Sequence, residues 1–172
     1  MRSILITGGL TNQGIELTEY LLKNTNHLVV CVDNLNNINN ENNEKLEKFK
    51  NEKNYVFLRT HLVNSDCIEF LIYTYCVDTV VHFNYDFNSS ELPRLMYENT
   101  FSLTLLLDLC VKYNVDNFYT ITDEIRIENS IFQSPELFTK SQICSLITYY
   151  ITNHKKLIVI LKSVEDIKNL VN

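Results

Sequence analysis

The sequence predicts an α/β fold, a doubly wound parallel sheet of about six strands with helices on both faces. Three observations carry this. Short apolar runs alternate with helical stretches from one end of the 172 residues to the other. The strand runs are continuously apolar, as expected where both faces of a sheet are covered. All three glycines, Gly8, Gly9 and Gly14, fall in the first strand-to-helix turn. A chain that avoids glycine elsewhere keeps them where backbone geometry requires them.

The elements follow in order. Residues 3–7 form an apolar run that stops at Gly8, and helical spacing of Ile15, Leu17, Leu21 and Leu22 begins at Gly14. Residues 28–32 read as a buried strand closed by Asp33 and Asn34. The Asn-, Glu- and Lys-rich stretch 34–54 reads as a solvated loop enclosing one polar helix near 41–52. A third strand at 55–58, a helix near 65–76 and a fourth strand at 79–83 come next. Pro93 opens a long helix to about Tyr113 that is apolar nearly all round, so it is expected to be buried on more than one side. Residues 118–121 are the fifth strand. Ser134 and Pro135 suit the N-cap and first turn of a helix running to about Asn153. Residues 157–161 are the sixth strand, and 164–171 a short terminal helix.

Composition narrows the function. Hydrophobic residues at 45% and charged residues at 21% exclude a disordered chain, a collagen and a disulfide miniprotein. One domain over residues 1–172 is expected. No apolar run approaches the ~20 residues of a membrane span, and the N-terminal run is too short for a signal peptide. The expectation is a soluble cytoplasmic protein. A formal charge of −6 disfavours nucleic acid and anionic membranes as partners. Five cysteines without a C-x-x-C pair read as buried free thiols in a reducing compartment. His27 and His154 read as surface residues, and no Cys/His/Asp cluster has metal-ligand spacing, so no metal is expected. The absence of Ala and Trp beside abundant Asn, Ile, Leu, Tyr and Phe has the form of A/T-rich coding, as in some large DNA viruses and AT-rich cellular genomes. A viral source would make the location a host's cytoplasm.

The glycine turn carries chemistry. Thr7-Gly8-Gly9-Leu10-Thr11-Asn12-Gln13-Gly14 joins strand to helix, and a helix N-terminus offers free N–H groups and partial positive charge to a diphosphate. Asp33 follows Gly14 by 19 residues, at the tip of the second strand. A carboxylate there accepts hydrogen bonds from ribose hydroxyls and repels a 2′-phosphate, which favours NAD over NADP. The alternative is a bare βα turn with no ligand. A Walker A loop is excluded because Ile15-Glu16 stands where Lys-Ser/Thr is needed.

These residues resemble the extended short-chain dehydrogenase/reductases, the NAD-dependent epimerase/dehydratase family, whose fingerprint is T-G-G-x-G-x-x-G followed by V-V-x-x-D. Residues 77–83 resemble the family's fourth strand, which ends H-x-A-A. Residues 97–107 resemble its Y-x-x-N-V-x-G-T-x-x-L-L helix. Thr122-Asp123-Glu124 is the T-D-E of the dTDP-glucose 4,6-dehydratase branch, and residues 134–140 lie where the family has S-P-Y-x-x-S-K. The resemblance implies a Rossmann-type sheet of order 3-2-1-4-5-6. It implies NAD held by Gly8, Thr11, Asn12, Gln13, Gly14, Asp33, Asn34 and Lys140. It also implies a catalytic set of Thr122, which orients the sugar, Asp123 as acid, Glu124 as base, and Lys140.

The departures point the other way. Thr11 replaces the middle glycine, His61 the adenine-holding Asp, and Asn84-Tyr85 two small residues, all changes expected to weaken or abolish NAD binding. Glu136 stands where the family has the tyrosine that removes a sugar hydroxyl proton, and no Tyr in the chain has Lys four residues later. An ordinary carboxylate, with a reference pKa of ~4.3, is a far weaker base than a tyrosinate. The bland alternative for Glu136 and Lys140 is an exposed i,i+4 ion pair. Past the sixth strand the family has R-x-x-N-x-Y-G-P and a C-terminal substrate domain, and residues 161–166 lack that motif. The expectation is a degenerate nucleotide-sugar epimerase/dehydratase homologue without the C-terminal substrate domain. It is expected to be catalytically impaired, with weak or lost NAD binding and a binding or interaction role. The alternatives are an active dTDP-glucose 4,6-dehydratase-like enzyme and a gene product with no present role. The helices near 93–113 and 135–153 correspond to the pair through which the family dimerises, so a homodimer, or a heterodimer with a full-length relative, is expected.

Overall fold

The computed structural model describes residues 1–36, 39–121, 134–154, 159–161 and 163–171. One parallel sheet contains β1 (Ser3–Thr7), β2 (Leu28–Asp33), β3 (Tyr55–Arg59), β4 (Thr79–His82), β5 (Asn117–Ile121) and β6 (Val159–Leu161). The strand order is β3-β2-β1-β4-β5-β6, as predicted. The helices are α1 (Asn12–Asn24), α2 (Asn40–Phe49), α3 (Ser65–Thr74), α4 (Leu92–Leu95), α5 (Ser102–Lys112), α6 (Pro135–Asn153) and α7 (Val164–Val171). No helix among the described residues is long and apolar enough to cross a membrane.

The two faces of the sheet separate residue by residue. Leu5 lies in register with Val30 on one side and Val80 on the other, and Val80 with Phe118. This row packs on Ile68, Leu71, Leu103, Leu106, Leu107, Ile143 and Ile147 of α3, α5 and α6. The alternate residues Ile4, Ile6, Val29, Cys31, Val81 and Tyr119 face the other way, onto Ile15, Leu17 and Leu21 of α1, Leu46 of α2 and Ile167 of α7. Side chains alternate across a strand, so continuous apolar runs feed both layers.

Four expectations are corrected. The helix starting near Pro93 is not uniform: α4 passes through a π-helical turn, Met96–Phe101, before α5. Tyr97 and Phe101 on that turn are half-exposed, at 48% and 49%, so its outer side is open. The Asn-rich stretch is not merely solvated, because Asn42 is buried and its Nδ2 donates to the Leu10 carbonyl at 2.8 Å. Only Cys31 and Cys110 of the five free cysteines are buried, and Cys76 is exposed at a left-handed residue with φ 47°. Neither histidine is a plain surface residue. The His27 ring is half-buried between the Arg2 N–H, 3.3 Å from Nδ1, and the Val171 carbonyl, 2.8 Å from Nε2. His154 is half-buried against the Tyr150 ring.

Two buried polar residues hold the strand ends that border the cleft. Asn99, fully buried on the π-turn, accepts from the Asp86 N–H at 2.8 Å and donates to the carbonyls of Asp86 and Leu95. It ties the segment after β4 to the helix. His82 shares a 2.7 Å hydrogen bond with Thr7 Oγ1 across β1 and β4. Its Nε2 has no hydrogen-bond partner among the described residues, and Tyr85 lies edge-on to the ring at 4.7 Å.

Asn99→Ala leaves two part-buried backbone groups of Asp86 without their partner and is expected to lower stability by about 1–2 kcal/mol in urea unfolding. A second prediction concerns pH. Burial pushes the His82 imidazole down to about 3 from an ordinary 6.5. The native state then excludes a proton that the unfolded chain binds below that value. This contribution to stability is full above pH 6.5 and is lost as pH falls toward 3, by up to about 1.4 kcal/mol per pH unit. Urea unfolding between pH 7 and 5 is expected to show that slope, and His82→Leu to flatten it.

Candidate functional site

The site lies at the carboxyl ends of β1, β2 and β4, beside the switch in strand order where α/β sheets hold ligands. Its floor is the glycine turn. Gly8 has φ 68°, and a Cβ there would sit 2.9 Å from the Asn84 nitrogen. A Cβ on Gly14 would meet the Gly8 carbonyl oxygen at 2.3 Å. The turn, the first turn of α1 and the exit of β4 are in backbone contact, which only glycine permits.

Thr11 is the N-cap of α1. Its Oγ1 accepts from the Gly14 N–H at 3.1 Å and donates to the Gly8 carbonyl at 2.7 Å. Its φ of −67° is ordinary, so replacing glycine strains nothing. The cost falls on ligand contact instead, because one helix N-terminal donor is taken by the chain itself. Asn12 and Gln13 are exposed at the start of the helix, and Asn12 Oδ1 also receives Asn42 Nδ2 at 3.4 Å.

Asp33 is half-buried at the end of β2. Its two carboxylate oxygens accept from the Leu10 N–H at 3.0 Å and the Leu35 N–H at 2.9 Å. Each keeps a lone pair for a ribose hydroxyl. Asn34 Nδ2 is 3.5 Å from His61 Nδ1, so the two residues that flank the expected adenine position are neighbours.

Beyond the turn the cleft is lined by Leu10, Thr11, Asp33, Asn34, Asn84, Tyr85, Asp86 and Glu98. The last two were not singled out from the sequence: Asp86 follows β4 and Glu98 sits on the π-turn, and Asn99 joins the two segments. Tyr85 reaches inward, its hydroxyl 2.8 Å from Thr120 Oγ1. Thr120 spends its own proton on the His82 carbonyl at 3.1 Å, so Tyr85 is the donor in that pair. Burial raises the phenol well above its ordinary value. Tyr85 therefore stays protonated and points away from the cleft mouth.

Lys140 and Glu136 form an ion pair at 2.9 Å on α6. This is the i,i+4 pair of the bland alternative, exposed on the Glu136 side at 47%, while the Lys140 side chain is 21% exposed and its ammonium lies 4.9 Å from the Phe87 ring centre. Phe87 stacks on Tyr85 at 6.1 Å, which links Lys140 to the cleft wall. Ser134 caps α6 by accepting from the Leu137 N–H, as predicted. Thr122, Asp123 and Glu124 lie outside the described residues. Among the described residues no three His, Cys, Asp or Glu side chains gather to hold a metal ion.

The residues present fit one half of an NAD molecule. The glycine cradle, Asp33 and Asn34 suit a ribose and its base. A diphosphate does not fit by charge: Asp33, Asp86 and Glu98 line the same cleft, and Thr11 caps one helix N-terminal donor.

Solved structures with the same fold come from nucleotide-sugar enzymes. A UDP-glucuronic acid 4-epimerase from Bacillus cereus in complex with NAD aligns with a TM-score of 0.79 and 24% identity, over 93% of this chain and 56% of that one. A UDP-glucose-4-epimerase from Stenotrophomonas maltophila with bound NAD gives 0.78 and 18%, over 94% and 52%. A dTDP-glucose 4,6-dehydratase from Bacillus anthracis in complex with NAD gives 0.75 and 18%, over 93% and 54%. At these identities the likeness establishes the fold, and the chain spans about half the length of each structure. No curated protein matches the chain in sequence. The family model for the NAD dependent epimerase/dehydratase family matches residues 4–124, from β1 through β5 and its exit, and by that match the chain belongs to this family.

Proposed function

We propose that this chain is a degenerate nucleotide-sugar epimerase/dehydratase homologue that binds NAD weakly at most, is catalytically impaired, and acts through binding rather than turnover. The observation that carries this reading is the Glu136–Lys140 ion pair. In the resembling enzymes the Lys charge lowers the pKa of a phenol, making it a proton acceptor. Here the same charge is matched by a carboxylate on the next helical turn. Tyr85 does not take over the role, because its proton is committed to Thr120. Loss of a positioned acid–base group ordinarily costs ~10²–10⁴ in rate.

The rival reading is a working NAD-dependent dehydratase that uses Asp123, Glu124 and Lys140, and the Thr122-Asp123-Glu124 sequence favours it. Incubation of the purified protein with NAD and dTDP-glucose separates the two. No 4-keto product is expected, and steady formation of one would reject the proposal in favour of the rival.

A dimer through the π-turn, α5 and α6 belongs to the same proposal. Support comes from the exposed Tyr97 and Phe101, whose rings stack at 5.6 Å, and from Tyr149 and Ile151 on α6. Tyr150 donates to Asp108, which fastens α6 to α5 beneath that surface. A cytoplasmic location suits the five free thiols. Light scattering coupled to size exclusion is expected to show a dimer, and Tyr97→Ser/Phe101→Ser to yield a monomer. A monomeric parent protein at high concentration would overturn this interface.

A further inference from the structure

The disagreement between the two halves of the cleft identifies its ligand class. This inference rests on the nucleotide-cleft reading above and deepens it. Asp33, Asp86 and Glu98 line the cleft, and no Lys or Arg does among the described residues. Asp33 is spoken for at the ribose position, where it holds the turn through the Leu10 and Leu35 N–H groups. Asp86 and Glu98 have no such place in ligand recognition. Asp86 is fixed there by Asn99, which holds both of its backbone polar groups, and by its own Oδ1, which accepts from the Asn88 N–H at 2.9 Å. Glu98 comes from the π-turn, next to Asn99.

Magnitudes decide the outcome for a charged ligand. A helix N-terminus supplies about half a positive charge. Thr11 already caps one of its donors. That partial charge faces three formal negative charges in the same cleft. A diphosphate adds two more negative charges and meets no Lys or Arg among the described lining residues. A ribose with its base adds none, keeps the two free lone pairs of Asp33, and meets the Asn34 amide and the His61 ring.

We propose that Asp86 and Glu98 are specificity-determining residues that make the cleft selective for an uncharged nucleoside and set it against the diphosphate of a dinucleotide. The selectivity is electrostatic. Salt therefore strengthens the binding of a diphosphate ligand here, the reverse of its effect on a basic phosphate site, and leaves nucleoside binding unchanged.

Titration calorimetry with adenosine, ADP-ribose and NAD tests this at low and at physiological salt. At low salt adenosine is expected to bind about tenfold more tightly than ADP-ribose, and added salt to narrow the gap. Asp86→Asn/Glu98→Gln is expected to raise ADP-ribose affinity by on the order of tenfold and leave adenosine unchanged. Asparagine keeps the acceptor that Asn88 uses, and Glu98→Gln alone carries the test should the double variant not fold. ADP-ribose or NAD binding more tightly than adenosine in the parent protein would overturn the inference while leaving the cleft a nucleotide site. Unchanged ADP-ribose affinity in the variants would remove Asp86 and Glu98 from the role. Failure of all three ligands to bind at millimolar concentration would sink the nucleotide-cleft reading itself.

Discussion

Backbone-to-backbone contact at the glycine turn is the constraint around which the molecule is arranged. The 2.3 Å separation between a Gly14 Cβ and the Gly8 oxygen leaves no room for any side chain, and the neighbour is backbone that cannot swing away. The contact sets how closely α1 approaches β1, and through Gly8 and Asn84 how β4 leaves the sheet. The later parts of the site inherit these positions. Asp33 reaches back to the Leu10 N–H, Asn42 closes over the Leu10 carbonyl, and Tyr85 turns in to Thr120.

Most of the fold was legible because it rests on short-range signals. Continuous apolar runs such as 28–32 mark doubly covered strands, and glycines confined to one turn mark a close approach. Ser134-Pro135 marks the start of α6 through local capping chemistry. The π-turn was not legible, since leucines dense on every side of residues 95–111 hide a one-residue change of period. Asn42 was not legible either. A polar residue in an Asn-rich stretch reads as solvated unless its partner, here a carbonyl 32 residues away, is known.

The candidate site divides in the same way. Gly8, Thr11, Gly14 and Asp33 were readable, because the turn and the strand tip are neighbours through one βαβ unit. The Glu136–Lys140 pair was readable because both residues share one helix face. Asp86 and Glu98 were not, for their proximity to the glycine turn is made by tertiary structure alone: Asn99 clamps one segment to the other. The electrostatic sign of the cleft is thus a property of the fold, even though the motif that marks the cleft is local.

The residues that depart from the family pattern also make contacts within the chain. Binding stabilises a native state by RT ln(1 + [L]/Kd), so a protein whose ligand binds poorly gains little from it. Its turn and strand ends must then be satisfied internally. Thr11 supplies a side-chain cap, worth roughly a few tenths of a kcal/mol over the glycine of the family pattern. The Tyr85 ring covers His82 and brings Thr120 a donor, where two small residues would leave that wall bare. Glu136 gives Lys140 a partner within its own helix. Each of these residues makes its contact within the chain. On the proposed function, the same three positions account for a scaffold satisfied from within and for a poor dinucleotide site, with no separate cause needed for either.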